Sequence, residues 1–398
     1  MREAGNHTPL HRAALNGHIS GVELLLMKGA VIESVDKDKN TPLHLAVWKN
    51  HTGIVELLLD KGASIRAINK YGNTPLHLAA WNGRPGMAEL LLRKGAWIAA
   101  SNKSDNTPLH LAVLKGHTGM VELLLGRGAS TESIGENENT ALHLAARNGY
   151  TCTAKLLLQK GAAIQAINEW FNTALHLAAW NGFTDIVELL LGRSASIGAI
   201  GRFYYTPLHL ASQSGHTSVV ELLVKNGAAL EPKDQLSNTP LHLAAQGGHT
   251  GVAELLLTKG AIIDAMNILN HTPLHLATEG GHRGVVDLLI RRGASINKYN
   301  DSLSDSDGGV YSQAIVIHGV SCRRSMRDLI AECRWKGRRS GVHVLGVRWL
   351  LGRHRRMGKA HSSLVVFFDD VVETTGRTWF GARWCPVEPY DFDRGSWW

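Results

Sequence analysis

A threonine followed by Pro-Leu-His or Ala-Leu-His recurs at Thr8, Thr41, Thr74, Thr107, Thr140, Thr173, Thr206, Thr239 and Thr272, always 33 residues apart and without an insertion. A strict period of this length marks a repeat array, because one such unit cannot bury its own apolar face and must stack on its neighbours. Nine units with this phasing run from Gly5 to Asp301, which is 297 of the 398 residues.

Each unit follows the same physical grammar, shown by the second one. Thr41 suits a helix N-cap, since its hydroxyl can accept from a backbone N–H of the first turn. Pro42 suits the first helical position, where its missing donor costs nothing. Leu43, Leu45 and Ala46 then give a short helix with an apolar, small-residue face. That helix stops at a residue able to turn left-handed: Gly17, Gly83, Gly116, Gly149, Gly182, Gly215, Gly248 and Gly281, with Asn50 in the second unit. A second helix carries Ile54, Val55, Leu57, Leu58 and Leu59 and ends at Gly62. A polar loop over 66–73 leads to the next threonine.

The run TPLHLAAWNG at 74–83, followed by ELLLRKGA at 89–96, resembles the ankyrin repeat. The resemblance implies a mainly α solenoid over residues 5–301, built of nine helix-turn-helix/β-hairpin units. The near-identity of NTPLHLAAWNG at 73–83 and NTALHLAAWNG at 172–182 is the mark of tandem duplication. The wording is also similar to arrays of fungal ankyrin proteins, including the sensor ends of NLR-like receptors, although no nucleotide-binding domain accompanies it here. Three departures carry expectations. Arg12 stands where the other units have leucine, so the first unit reads as a polar cap. Ser194 replaces the glycine that ends the second helix, at a cost of roughly 1 kcal/mol. Two residues before each threonine only Gly72 keeps the family's glycine, with Lys39, Glu138, Phe171 and Tyr204 among its replacements, which predicts looser hairpin tips.

Partners of ankyrin proteins usually meet the hairpin tips and the concave face made by the first helices. Carried over, the resemblance assigns Trp48, Lys49, Trp81, Lys115, Arg147 and Trp180, seven or eight residues after a threonine, and the tip residues Tyr71, Trp170, Phe203 and Tyr205. Exposed Trp, Tyr and Arg dominate binding hot spots. The competing reading is that these aromatics pad gaps between adjacent repeats. A non-enzymatic scaffold for an unidentified protein partner is the function expected of the array.

Catalytic and metal readings fail on spacing. Nine of the 21 histidines hold one position of the repeat and six more sit at the helix break, so they read as structural, tying the turn to its neighbour. Gly352 and Gly358-Lys359 are one residue too far apart for a phosphate loop, and Ala360 replaces its hydroxyl. His318, Cys322, Cys333 and His343 fit no common zinc spacing. Phe367-Phe368-Asp369-Asp370 reads as a strand end with solvated acids. No nucleophile–base signature is present. No cofactor is implied, and no enzyme is expected. Charged residues at 19% and hydrophobic residues at 44% are a globular composition, and no run of about 18 apolar residues suits a membrane span. The opening MREAGNHTPLHRAAL lacks a secretory apolar stretch, and four scattered cysteines do not make a disulfide scaffold. A reduced, cytoplasmic or nuclear setting without a membrane partner is expected.

Past the array, residues 302–309 form an acidic, Ser/Gly-rich linker, and 310–398 read as a small basic α+β segment. Strands are predicted over 314–320, 342–351, 362–368 and 379–387, and a helix over 326–335. The net charge of +8 sits here: residues 323–359 hold twelve Lys/Arg against two acids, while residues 1–322 balance to +1. AIVIHGV, VRWLL, KAHSSLVVFF and WFGARWCPVEPYDFDR resemble the gag-like protein of fungal non-LTR retrotransposons, which implies an RRM-type fold. The alternative function follows from it: RNA or single-stranded DNA bound through Arg334, Trp335, Arg338, Arg339, Trp349, Arg353, Arg355, Arg356 and Lys359, with the array recruiting a partner.

Overall fold

The structure, a computed structural model, describes residues 7–296 and the two-residue strands Val347–Arg348 and Phe367–Phe368. The chain divides into two units, Met1–Asp301 and Ser302–Trp398. Among the described residues of the first, 18 helices follow one another in nine pairs. The first helix of a pair is short, as in Pro42–Trp48, and the second a little longer, as in Thr52–Asp60.

Local chemistry sets both ends of these helices. Thr41 is extended at the N-cap (φ −84°, ψ 165°) and its hydroxyl accepts from the His44 backbone N–H. Asn50 closes the first helix with a left-handed backbone (φ 61°), as do the glycines of the other units, and Gly62 closes the second at φ 91°. Ala46, Ala79, Ala112, Ala145, Ala178, Ala211 and Ala244 are completely buried, so backbones of successive first helices approach closely. First helices pack more tightly on one another than second helices do, which places them on the inside of the curve. Val55, Leu58 and their equivalents fill one core that continues from repeat to repeat. Arg12 is exposed on the first unit, as a polar cap requires.

A ring on a glycine keys each repeat to the one before it. His51 lies over Gly17, His117 over Gly83, Tyr150 over Gly116, Phe183 over Gly149, His216 over Gly182, His249 over Gly215 and His282 over Gly248. A Cβ on any of these glycines would stand 2.5–2.9 Å from the ring. The histidines also donate from Nε2 to a carbonyl of the preceding repeat, such as His117 to Trp81 O (3.0 Å) and His249 to Gln213 O (2.9 Å). The exception explains itself: where Asn50 replaces the glycine, the next repeat carries Arg84 instead of a ring.

The tips differ from expectation. They are turns instead of β-hairpins: within a tip the main chain closes only one turn (Gly72 N–H to Asn69 O, 2.9 Å; Asn69 N–H to Asn73 O, 3.1 Å), and adjacent tips share a single bond (Lys103 N–H to Tyr71 O, 3.0 Å), too few for a ladder. Lys39, Asp105, Glu138, Phe171, Tyr204, Ser237 and Asn270 all adopt left-handed φ of 57–61° there. Expected to be looser for want of glycine, most tips are instead tied by an Asp or Asn five residues before the threonine. The Asn69 Oδ1 accepts from Tyr71 N–H and Asn73 N–H, both at 3.0 Å, and Asp36 and Asp234 do the same in their tips. Gly135 and Gly201 lack that side chain. In those two tips two consecutive residues turn left-handed (Asn137-Glu138 and Phe203-Tyr204), giving 3-10 turns.

Ser194 does occupy the left-handed position assigned to it (φ 65°), and its helix, Thr184–Leu191, has eight residues where eight of the nine second helices have nine. Ser194→Gly is therefore expected to stabilise the array by up to about 1 kcal/mol. Hydrogen exchange near the boundary of the sixth and seventh repeats should slow in that variant. Unchanged exchange there would sink the idea.

In the second unit Val347–Arg348 and Phe367–Phe368 pair antiparallel, Val347 opposite Phe368 and Arg348 opposite Phe367. The remaining expectations for 310–398, including the nucleic-acid residues Arg334, Trp335, Arg338, Arg339, Trp349, Arg353, Arg355, Arg356 and Lys359, lie outside the described residues.

Candidate functional site

The repeated histidines are fully committed to structure. In each unit Nδ1 faces the threonine, as in His77 with Thr74 N–H (3.1 Å) and Oγ1 (2.9 Å). Nε2 faces the carbonyl just before the next threonine, as in His77 with Asn106 O (3.0 Å) and His143 with Asn172 O (2.9 Å). A carbonyl can only accept, so Nε2 carries a proton, and because Nδ1 accepts from the threonine N–H the ring is neutral. His110 deviates and reaches Ser133 O (3.0 Å). Burial, only partly countered by these hydrogen bonds, pushes His44, His77, His110 and His176 down to about 4. Among the described residues no three His, Cys, Asp or Glu side chains gather as a metal-holding group.

The end of each first helix is different. Trp48 is 43% exposed and Lys49 beside it is exposed. Trp81, at the same register one repeat on, is half-buried, and Lys115 of the following repeat lies over its ring (Nζ 3.8 Å from the centroid). Arg147 and Trp180 are half-buried, and the Trp180 carbonyl accepts from His216 Nε2 (3.0 Å). The structure thus brings Trp81 and Lys115 together across a repeat boundary. It leaves Trp48 as the most open ring of the row, while Trp81 and Trp180 also pad their neighbours.

The tips present a second set. Tyr71 is exposed with Lys70 over its ring (4.9 Å), and Phe203 is exposed with Arg202 over its ring (4.7 Å). Trp170 is half-buried. Tyr205 belongs to the packing: its ring lies 6.2 Å from Phe203 and 5.7 Å from His209, and burial pushes its hydroxyl up to about 12. Sequence reasoning missed Leu236, Ile268 and Leu269, each exposed at the next two tips. They continue the apolar ridge begun by Phe171, Phe203 and Tyr204. Their register, three and four residues before a threonine, is the same as that of Trp170 and Phe203, and was the signal available.

Helix pairs stacked on a shared core, with rings and cations along one row at the ends of the first helices, define a repeat solenoid. The chain belongs to the ankyrin-repeat family. A family model described as ankyrin repeats (three copies) matches residues 10–102, 66–135, 109–201, 166–234 and 208–300, together well over half of the chain. Ankyrin repeats generally mediate protein–protein interaction. No curated protein matches the chain. The family matches end at residue 300, so the retrotransposon resemblance of the tail gains no support from them. No helix among the described residues is long and apolar enough to cross a membrane.

Proposed function

We propose that the array is a non-enzymatic scaffold that binds a protein partner through the inner face of its first helices and through its tips. The observation that carries this is the row made by Trp48, Lys49, Trp81 and Lys115, which lies outside the core although it recurs at the register of core-forming helices. Large aromatic rings held beside cations are the usual centres of binding energy. Trp48→Ala should weaken partner binding by on the order of 2 kcal/mol with little loss of stability, and Trp81→Ala should weaken it as well while also losing packing against the next repeat. Partners captured by residues 1–305 from a cell extract, titrated against each variant, give the first quantity, and denaturant unfolding gives the second. A stability loss of several kcal/mol for Trp48→Ala would mean the ring is core and the reading is wrong.

The basic tail supports a second reading, RNA or single-stranded DNA binding. Its observation is the twelve cations at 323–359 with Trp335 and Trp349 among them. Five phosphate contacts give a log–log salt slope of roughly −3.5 on a single strand. Replacing Arg353, Arg355 and Arg356 with Gln should flatten that slope and weaken all sequences alike. Oligonucleotide binding by the full chain that is absent at low salt would leave the array as the working part.

A further inference from the structure

The inner face of repeats two to five sorts its charge in a way the core does not require. Seven and eight residues after the threonine, repeats one to eight carry Lys49, Lys115 and Arg147 and no acid, and the first acid in that register is Glu279 in repeat nine. Acids collect on the second helices instead, at Glu23, Glu56, Glu89 and Glu122. The tips, where Asp38, Asp105, Glu136 and Glu138 stand among Lys37, Lys39, Lys70 and Lys103, lie at the other end of the first helix, about 10 Å away for seven residues, which is about one Debye length.

One further observation points to an acceptor-rich ligand. The Asn82 Nδ2 is buried with no acceptor among the described residues. At the same register Asn148 and Asn181 each donate to the carbonyl four residues back, at 2.8 and 2.9 Å.

We infer that this face binds an extended, acidic segment of the partner protein, with a carboxylate-bearing chain lying along Lys49, Asn82 and Lys115 and an apolar residue against Trp48. The inference rests on the protein-binding reading above and adds the chemistry of the partner. An acidic peptide fits better than a nucleic acid, because three cations spread over four repeats cannot follow a phosphate at every step, and residues 1–322 carry a net charge of only +1.

The test selects random 12-residue peptides on the full chain at low salt and then measures the selected peptides against variants. Enrichment of Asp and Glu at least twofold over the library is expected. Selected peptides should bind the Lys49→Glu/Lys115→Glu double variant at least tenfold more weakly and lose affinity as salt rises, with helix content unchanged by circular dichroism. Selected peptides without an acidic excess that still lose binding on Trp48→Ala would end this inference and leave the protein-binding reading in place. Peptides indifferent to Trp48→Ala and to the lysine variant, or none selected, would end both for this face. Displacement of a bound peptide by a 20-nucleotide poly-dT, lost in the lysine variant, would make it a nucleic-acid site and overturn the inference as well.

Discussion

Lowering the pH from 7 towards 4 is expected to unfold the array, and buried histidines are the cause. His44, His77, His110 and His176 stand at about 4 in the folded chain against an ordinary 6.5. Below 6.5 the unfolded chain takes up a proton at each of these rings that the folded chain refuses. The unfolded state therefore binds more protons across the window, and stability is full above 6.5 and is lost as pH falls to about 4. At about 1.4 kcal/mol per pH unit, each ring contributes on the order of 3 kcal/mol, and the four together on the order of 10. That equals the whole stability of an ordinary domain, about 5–15 kcal/mol. The geometry shows why the rings refuse: a second proton would go on Nδ1, against the N–H of Thr74 and its equivalents. His77 also lies between His44 and His110, whose charge would oppose its own. Asp36 adds to the loss at lower pH. Burial raises its carboxyl, but hydrogen bonds from Asn40 and Asp38 outweigh burial and hold it below its ordinary value. Denaturant midpoints measured from pH 7 to 4.5 at constant salt should fall steadily, with about four protons taken up on unfolding near pH 5. Midpoints that do not move would show that these rings are solvated.

The repeat period, the helix starts and the left-handed stops could all be read directly, because each rests on residues close in sequence. Thr41, Pro42 and Asn50 act within one turn of where they stand, and the structure puts them there. The tie made by the repeated histidines was readable as well, since a residue present in every unit must serve something every unit shares. The exposure of the tryptophans escaped because it depends on partners about 30 residues away. Trp48 and Trp81 occupy one register, yet their exposure differs. The residue one repeat on is Asn82 for the first and Lys115 for the second. Tyr205 reads as a surface aromatic until His209 and Phe203 are seen to enclose it. The tips were expected to be loose because glycine was missing, while the Asn69 side chain that ties its tip was overlooked. An asparagine in a polar loop has no periodic or apolar signature to draw attention to it.

Gly215→Ala should cost about 2–3 kcal/mol, well beyond an ordinary glycine substitution. Gly215 has φ 79°, so a side chain there meets the left-handed penalty of about 1 kcal/mol. Its new Cβ would also stand 2.5 Å from His249 Nδ1, and that ring has to move. Moving it strains the bond from His249 Nε2 to Gln213 O, with a further loss of about 1–2 kcal/mol for a half-buried hydrogen bond. Gly227 is the control. It is equally left-handed (φ 91°) but has nothing within 4 Å of a built Cβ, so Gly227→Ala should cost only about 1 kcal/mol. Equal losses at the two glycines would show that the ring contact contributes nothing. The chain contains its own compensated version of the experiment. Asn50 already carries a side chain at this position, and Arg84, a flexible residue able to turn aside, replaces the ring above it. Arg84→His alone should therefore destabilise, because a ring meets the Asn50 side chain. Combined with Asn50→Gly it should recover the loss, leaving a coupling of about 1–2 kcal/mol between two residues 34 apart in sequence. Additive effects in that cycle would mean that the pairing of ring and glycine along the array is coincidence of duplication and not a packing rule.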